Sequence, residues 1–237
     1  MDTERVWTRA VRFIADDGLE YCGEPEDPDV DVGLAVAQGQ SLCVKILNAK
    51  SILDTDTCAL GPTDTISIPS IATKADPEVE LAVVIGKDCK NVSTENALEY
   101  VLGFTVANDL TARCLQSKAS QWGYCKGFDG FCPLGPALVA AKEIPDPSVL
   151  SLKTVLGGVT VQESTAVNLI FSIPKIISYL SQGTTLTKGK GTIILTGTPA
   201  GIGYGRDPPI YLSDTSTLRV SISHGLGTLT NGIRCEK

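Results

Sequence analysis

Residues 78–113 read EVELAVVIGKDCKNVSTENALEYVLGFTVANDLTAR. EVELAVVIG begins with alternating Glu and Val and becomes continuously apolar, which predicts a buried strand. FTVAND predicts a second buried strand. Between them STENALEYVLG has a Ser-x-x-Asn start, helical spacing and a Gly stop, which predicts a helix, and LTARCLQSKA continues as a helical turn or short helix. Side chains two apart on a strand share a face, so Glu78 and Glu80 stand side by side where the apolar run begins. Adjacent carboxylates repel, and near a core they need water, a cation or a basic partner. The pair therefore reads either as an exposed acidic face on an edge strand or as ligands for a hard cation such as Mg²⁺. Asp109 ends the second strand in the same apolar context and is the third candidate ligand.

Outward from this stretch, strands outnumber helices. TRAVRFI (8–14), LEYCG (19–23), VGLAVA (32–37) and SLCVKIL (41–47) predict short strands separated by turns and loops with Pro25, Pro28 and several acids. Further on, GPTDTISIP (61–69) predicts a turn and a strand, PALVAA (136–141) a strand, and KTVLGGVTVQES (153–164) a hairpin turning at Gly157-Gly158. IPKIISYLSQG (173–183) predicts a helix, GTIILTGTP (191–199) a strand, and TLRVSISHGLGTLTNGI (217–233) a last hairpin. The expected class is α+β, mostly β, with a small N-terminal β subdomain over residues 1–50 and a main domain over 51–237.

Composition narrows the chemistry. The chain has 237 residues, 43% of them hydrophobic, and a net charge of −7, which gives no electrostatic reason to expect nucleic acid or an anionic membrane as partner. No segment approaches the ~20 apolar residues of a membrane span, and MDTERVWTRAVRFI lacks the apolar run of a signal peptide. A cytoplasmic protein is expected. Its eight cysteines are scattered without a C-x-x-C pair, so they are expected to be reduced thiols, mostly filling the core. The single histidine, His224, would have to carry any Ser-His-Asp, Cys-His or imidazole-rich metal chemistry. Carboxylates, Lys126, hydroxyls and backbone groups remain, a set suited to a hard cation bound by oxygen.

Taken together, residues 78–113, the Lys126-Gly127-Phe128-Asp129 segment and ILTGTPAGIG (194–203) strongly resemble the fumarylacetoacetate hydrolase family. The order E-x-E, N-D-x-T-A-R and L-T-G-T-P is specific, and the likeness runs from about Leu60 to Gly232, with FIADDGLEYCGEP and DVDVGLAV similar to the N-terminal subdomain of shorter members. The resemblance implies a mixed β-sandwich roll and a homodimer. It makes Glu78, Glu80 and Asp109 the ligands of Mg²⁺ or Mn²⁺. Lys126 and Gln116 become the expected catalytic residues, Lys126 being placed to neutralise a substrate carboxylate or a developing enolate. Thr198, Gly197 and Arg113 become the expected substrate-binding residues. The plain alternative for Gln116 and Thr198 is an ordinary loop or capping hydrogen bond; for Arg113 it is an i,i+4 ion pair that orients Asp109. The implied substrate is a small oxo acid or 1,3-dicarbonyl compound.

One departure bears on the reaction. Family members usually carry a G-L-N-Y-x-x-H-x-x-E segment whose His and Glu form an acid/base pair, whereas here VKILNAKSILDTDT passes directly into CALGPTD. Cys114 also stands where the family often has an acid. His224 lies in a predicted C-terminal strand and turn and is a poor substitute for the lost base. The expected enzyme is a metal-dependent hydrolase, decarboxylase or isomerase in which water activation is weakened and enolate stabilisation kept. Its alternatives are a member that binds without turnover, or a tailoring isomerase or dehydratase of secondary metabolism. Gly183–Lys190 fails the phosphate-loop spacing and Gly201–Gly205 fails the dinucleotide pattern.

Overall fold

The computed structural model describes residues 7–47, 61–188 and 191–237. Strands β1 (Arg9–Ile14), β2 (Glu20–Pro25), β3 (Val44–Ile46), β4 (Ile66–Ile68), β5 (Ala75–Asp76), β6 (Val79–Ile85) and β7 (Val101–Asn108) come first. They are followed by β8 (Thr111–Ala112), β9 (Leu134–Ala140), β10 (Ser151–Leu156), β11 (Val159–Thr165), β12 (Ile193–Leu195), β13 (Thr217–Ile222) and β14 (Gly227–Cys235). Among the described residues four short α-helices interrupt them: α1 (Val32–Ala37), α2 (Arg113–Gln116), α3 (Gly123–Lys126) and α4 (Ile173–Leu180).

A seven-stranded sheet runs β12-β6-β7-β9-β1-β2-β3, a five-stranded sheet runs β11-β10-β13-β14-β4, and β5 pairs with β8. One apolar cluster joins the two larger sheets, drawing Leu81, Val83 and Phe104 from the first and Leu152, Val220 and Leu229 from the second. The mostly β architecture agrees with the sequence reading. The proposed domain boundary near residue 50 falls outside the described residues, while β1 on its near side hydrogen-bonds directly to β9. No helix among the described residues is long and apolar enough to cross a membrane.

β6 is buried along its whole length, between β12 and β7, as its continuous apolar run requires. Two local expectations fail. VGLAVA is helix α1 rather than a strand: Asp31 caps it by accepting the Leu34 N–H, and the other carboxylate oxygen of Asp31 takes the Thr228 hydroxyl. Gly33 lets that helix lie against β14, since a Cβ there would stand 1.7 Å from the Thr228 carbonyl oxygen. The helix expected over STENALEYVLG shrinks to one 3₁₀ turn, Ala97–Tyr100, because Val101 already pairs with Ile85 and the following residues enter β7. Strand pairing outweighs helical spacing there.

All seven described cysteines are free thiols, but only Cys22, Cys89 and Cys125 are buried, so core filling describes fewer than half of them. Cys58, the 48–60 junction where the His-Glu segment is missing, and the Gly189-Lys190 end of the rejected phosphate loop lie outside the described residues.

Candidate metal centre

Glu78 immediately precedes β6 and Glu80 is its second residue, while Asp109 follows the last residue of the antiparallel partner β7. The pairing Val79↔Asn108 brings the ends of the two strands level, and Asp109 N–H donates to the Glu78 carbonyl at 2.9 Å. Glu78 and Glu80 are only 5% and 4% exposed, which removes the exposed acidic face as a reading. One carboxylate oxygen from each of Glu78, Glu80 and Asp109 lies within 4.8 Å of the others. Octahedral oxygen ligands about 2.1 Å from one ion stand roughly 3 to 4.2 Å apart, so this spacing suits a small hard cation.

Three donors hold these acids, two of them on Glu78. Lys126, the last residue of α3, places Nζ 2.5 Å from Asp109 Oδ2, 3.0 Å from Glu78 Oε2 and 2.8 Å from Thr111 Oγ1. Gly197 N–H donates to Glu80 Oε2 at 2.6 Å. Gly197 has φ +95° and its Cβ position faces open space, so glycine is needed for the turn rather than for lack of room. Arg113 donates to Glu78 Oε1 through Nη2, to Asp76 Oδ2 through Nε at 2.9 Å, and to Gln116 Oε1 through Nη1 at 2.9 Å. The expected Arg113–Asp109 pair is therefore replaced. Asp109 lies before β8 rather than in a helix, so the i,i+4 geometry does not exist, and Lys126 takes Asp109 instead.

The electrostatics follow from this packing. Burial pushes Glu80 up to about 7, aided by Asp109 and Glu78 and opposed by the Gly197 N–H and Lys126. Burial also raises Asp109 above the usual carboxylate range, against Lys126. For Lys126 burial works against the charge, but Asp109 and Glu78 outweigh it and the pKa is raised. Asp76, Glu78, Glu80 and Asp109 face two cations, Arg113 and Lys126, so full ionisation leaves two negative charges in excess. An all-oxygen donor set with that excess fits one divalent cation.

Among the sequence candidates, Glu78, Glu80, Asp109, Lys126 and Gly197 converge directly. Gln116 is tied in through Arg113, and Thr198 Oγ1 accepts from Gln162 at 2.8 Å. His224 does not join them: it is exposed in the β13–β14 turn, its Nδ1 2.8 Å from Ser223 Oγ, and it lines a cleft with Arg9, Glu24 and Lys45. Sequence reasoning overlooked Asp76, Thr111, Gln162 and Cys132. Asp76 stands two residues before Glu78, but Pro77 separates it from that strand and hides the spacing, whereas Thr111 lies inside the N-D-x-T-A-R motif and could have been found there. The Cys132 thiol is pushed up to about 11, first by burial and then by Asp109 and Glu80.

Residues 46–234 match the family described as fumarylacetoacetate (FAA) hydrolase C-terminal. The chain belongs to the fumarylacetoacetate hydrolase family. A caffeoylpyruvate hydrolase from Neonothopanus nambi is 33% identical over 292 residues, covering 98% of this chain and 94% of the relative. That alignment is longer than the 237 residues here, so the relative carries internal positions that this family member lacks. A mitochondrial oxaloacetate tautomerase from Xenopus laevis is 42% identical over 176 residues, covering 73% of this chain. The chain spans 54% of that relative and 61% of a 44% identical Dictyostelium discoideum relative. The solved fumarylacetoacetate hydrolase of Exiguobacterium antarcticum superposes with TM-score 0.78 at 30% identity, covering 97% of this chain and all of that one.

The raised Glu80 pKa sets a pH dependence for this family member. An unfolded glutamate titrates near 4.5 and the folded one near 7, so between these values the folded state holds the extra proton. The resulting stability is fully present below pH 4.5 and is lost as pH rises through 7. In metal-free buffer, moving from pH 5.5 to 8 is expected to remove up to about 2 kcal/mol of stability and so lower the melting temperature. Glu80→Gln should flatten that slope, and saturating Mg²⁺ should flatten it by competing with the proton. Calorimetry in EDTA across this range checks the sign; a melting temperature that climbs with pH would reverse the assignment.

Proposed function

We propose that this chain is a divalent-metal-dependent enzyme that enolises a small 2-oxo acid or 1,3-dicarbonyl compound, by tautomerisation or decarboxylation in preference to hydrolysis. The observation that carries this is the largely buried oxygen-only cluster, which on full ionisation has two negative charges in excess, with a lysine ammonium fixed at its side. Glu78, Glu80 and Asp109 would hold the cation, which when bound supplies Lewis acidity toward the substrate oxo group.

The chain's own residues supply the rest. Lys126 is held at one place by three acceptors and keeps its proton, so it offers fixed positive charge where negative charge grows on the substrate oxygen or carboxylate. Arg113 and Gly197 fix the carboxylates of Glu78 and Glu80 from outside, which limits reorganisation during reaction. Hydrolysis needs a base to deprotonate water. The one imidazole of the chain is in the β13–β14 turn, in a cleft lined by none of the three acids. The Xenopus tautomerase supports enolisation; the Neonothopanus caffeoylpyruvate hydrolase, matched over nearly the whole chain, favours hydrolysis as the second reading.

Assays with Mg²⁺ or Mn²⁺ should compare oxaloacetate tautomerisation and decarboxylation with acylpyruvate hydrolysis on one preparation. Enolising turnover is expected to exceed hydrolysis by about a hundredfold or more, the lower end of what one positioned base contributes. EDTA should abolish it and added metal restore it. Acylpyruvate hydrolysis as the faster reaction would favour the second reading, and turnover insensitive to EDTA would remove the metal.

A further inference from the structure

Strand β12 stops at Leu195, opposite Ala82 of β6, and the last contact along that edge is Thr196 N–H to the Leu81 carbonyl. Beyond it the chain turns away at Gly197, which has φ +95°, so the outer edge of β6 loses its strand partner where the two glutamates sit. The Val79 N–H faces this gap. It is taken by Gln162, a β11 residue of the other sheet, whose Oε1 accepts it at 3.1 Å.

Gln162 is 1% exposed, and its hydrogen-bonding capacity is fully used. Oε1 also accepts from Thr154 Oγ1 at 2.8 Å, while Nε2 donates to Thr198 Oγ1 at 2.8 Å and to the Pro199 carbonyl at 3.0 Å. Exchanging oxygen and nitrogen would set carbonyl against carbonyl at Pro199 and N–H against N–H at Val79, so the amide has one orientation. The β10–β11 register slips beside it: Thr154 faces Gln162 and Val155 faces Thr160, leaving Val161 as the extra residue of a bulge. The Val161 carbonyl is thereby aimed at the loop after β12. It accepts from Arg206 Nη2 at 2.5 Å and stands 2.2 Å from where a Cβ on Gly201 would lie.

We propose that Gln162 is a positioning residue for the metal centre, a wedge that fixes the start of β6 relative to the 197–199 turn. Val79 lies between Glu78 and Glu80, and the turn held by Nε2 supplies the Gly197 N–H to Glu80 Oε2. One side chain therefore sets both the strand that carries two of the acids and the donor that aims one of them. This rests on the reading of Glu78, Glu80 and Asp109 as a metal centre.

The test is Mn²⁺ affinity, measured by calorimetry or by the paramagnetic signal of free Mn²⁺, alongside the melting temperature. Gln162→Met keeps the volume and removes all four bonds. Its Mn²⁺ dissociation constant is expected to rise about tenfold, the lower end of what loss of an orienting partner does to metal affinity. Thr154→Val removes a bond to the same oxygen but none to the start of β6 or to the 197–199 turn, so it should lower the melting temperature and leave Mn²⁺ affinity within about twofold. If Gln162→Met does not fold, Gln162→Asn serves: it stays polar but is one methylene too short to span the gap, and affinity should fall likewise. Unchanged affinity in the folded Gln162 variants, or an equal loss in Thr154→Val, overturns the proposal and leaves the metal centre standing. No Mn²⁺ binding by the unsubstituted chain overturns both.

Discussion

Asp76→Ala is expected to destabilise this chain by about 3–5 kcal/mol, the range for removing one partner of a buried ion pair. At 2–4 °C per kcal/mol for a chain of this size, the melting temperature should fall by roughly 10–15 °C. Asp76 is wholly buried and its two oxygens are fully engaged: Oδ1 accepts Gly203 N–H at 2.8 Å, and Oδ2 accepts Tyr204 N–H and Arg113 Nε, both at 2.9 Å. Alanine leaves two backbone donors unsatisfied and takes one of two carboxylates from Arg113, itself only 7% exposed. Collapse cannot close the gap, because Gly203 is already jammed: a Cβ there would meet the Ile210 carbonyl oxygen at 1.8 Å. Asp76→Asn keeps one acceptor and the shape, and should lose about half as much. Thermal melts of both variants check this. A fall below about 3 °C for Asp76→Ala would mean that Arg113 and the 203–204 turn find other partners, and the ordering of the two variants is a second check.

Local pattern explains why β6 could be read and Asp76 could not. An apolar run such as LAVVI must be buried on both faces, and β6 is; a Gly157-Gly158 pair between alternating residues must turn, and β10 and β11 form that hairpin. Glu78 and Glu80 were visible because two residues of one strand share a face. Asp76 stands at the same spacing, but Pro77 interrupts the ladder and assigns it to β5. Its partner Arg113 is 37 positions away, and Gln162 meets Val79 across 83. Such contacts depend on how two sheets stack, which no window of neighbouring residues reports. The VGLAVA segment failed for another reason: six apolar or small residues satisfy a buried strand and a buried helix alike, and the Asp31 cap decided between them. The ligand roles rested on the family resemblance as much as on spacing, whereas the displacement of Arg113 from Asp109 to Asp76 and Glu78 needed the fold.

Lys126→Met is expected to lower enolising turnover by about 10²–10³, the cost of removing one preorganised group that stabilises developing negative charge. His224→Ala should change it by less than about twofold, because a surface residue outside the site has no route to the reacting atoms. The lysine's role can be separated from simple damage to the cluster by charge. Four acids against Arg113 and Lys126 leave two negative charges; without Lys126 they leave three. A divalent cation should then bind at least as tightly as before, since the ammonium no longer opposes it. Methionine also fills most of the space of the lysine stem, so the helix α3 that carries it keeps its packing, with Cys125 buried beside it. The expected signature is thus a large fall in kcat with undiminished Mn²⁺ affinity and a melting temperature close to that of the unsubstituted chain. Measuring all three on one preparation decides the matter. Turnover near the original level would take Lys126 out of the chemistry, and a kcat loss accompanied by equally weakened Mn²⁺ binding would make it a structural support of the acids instead.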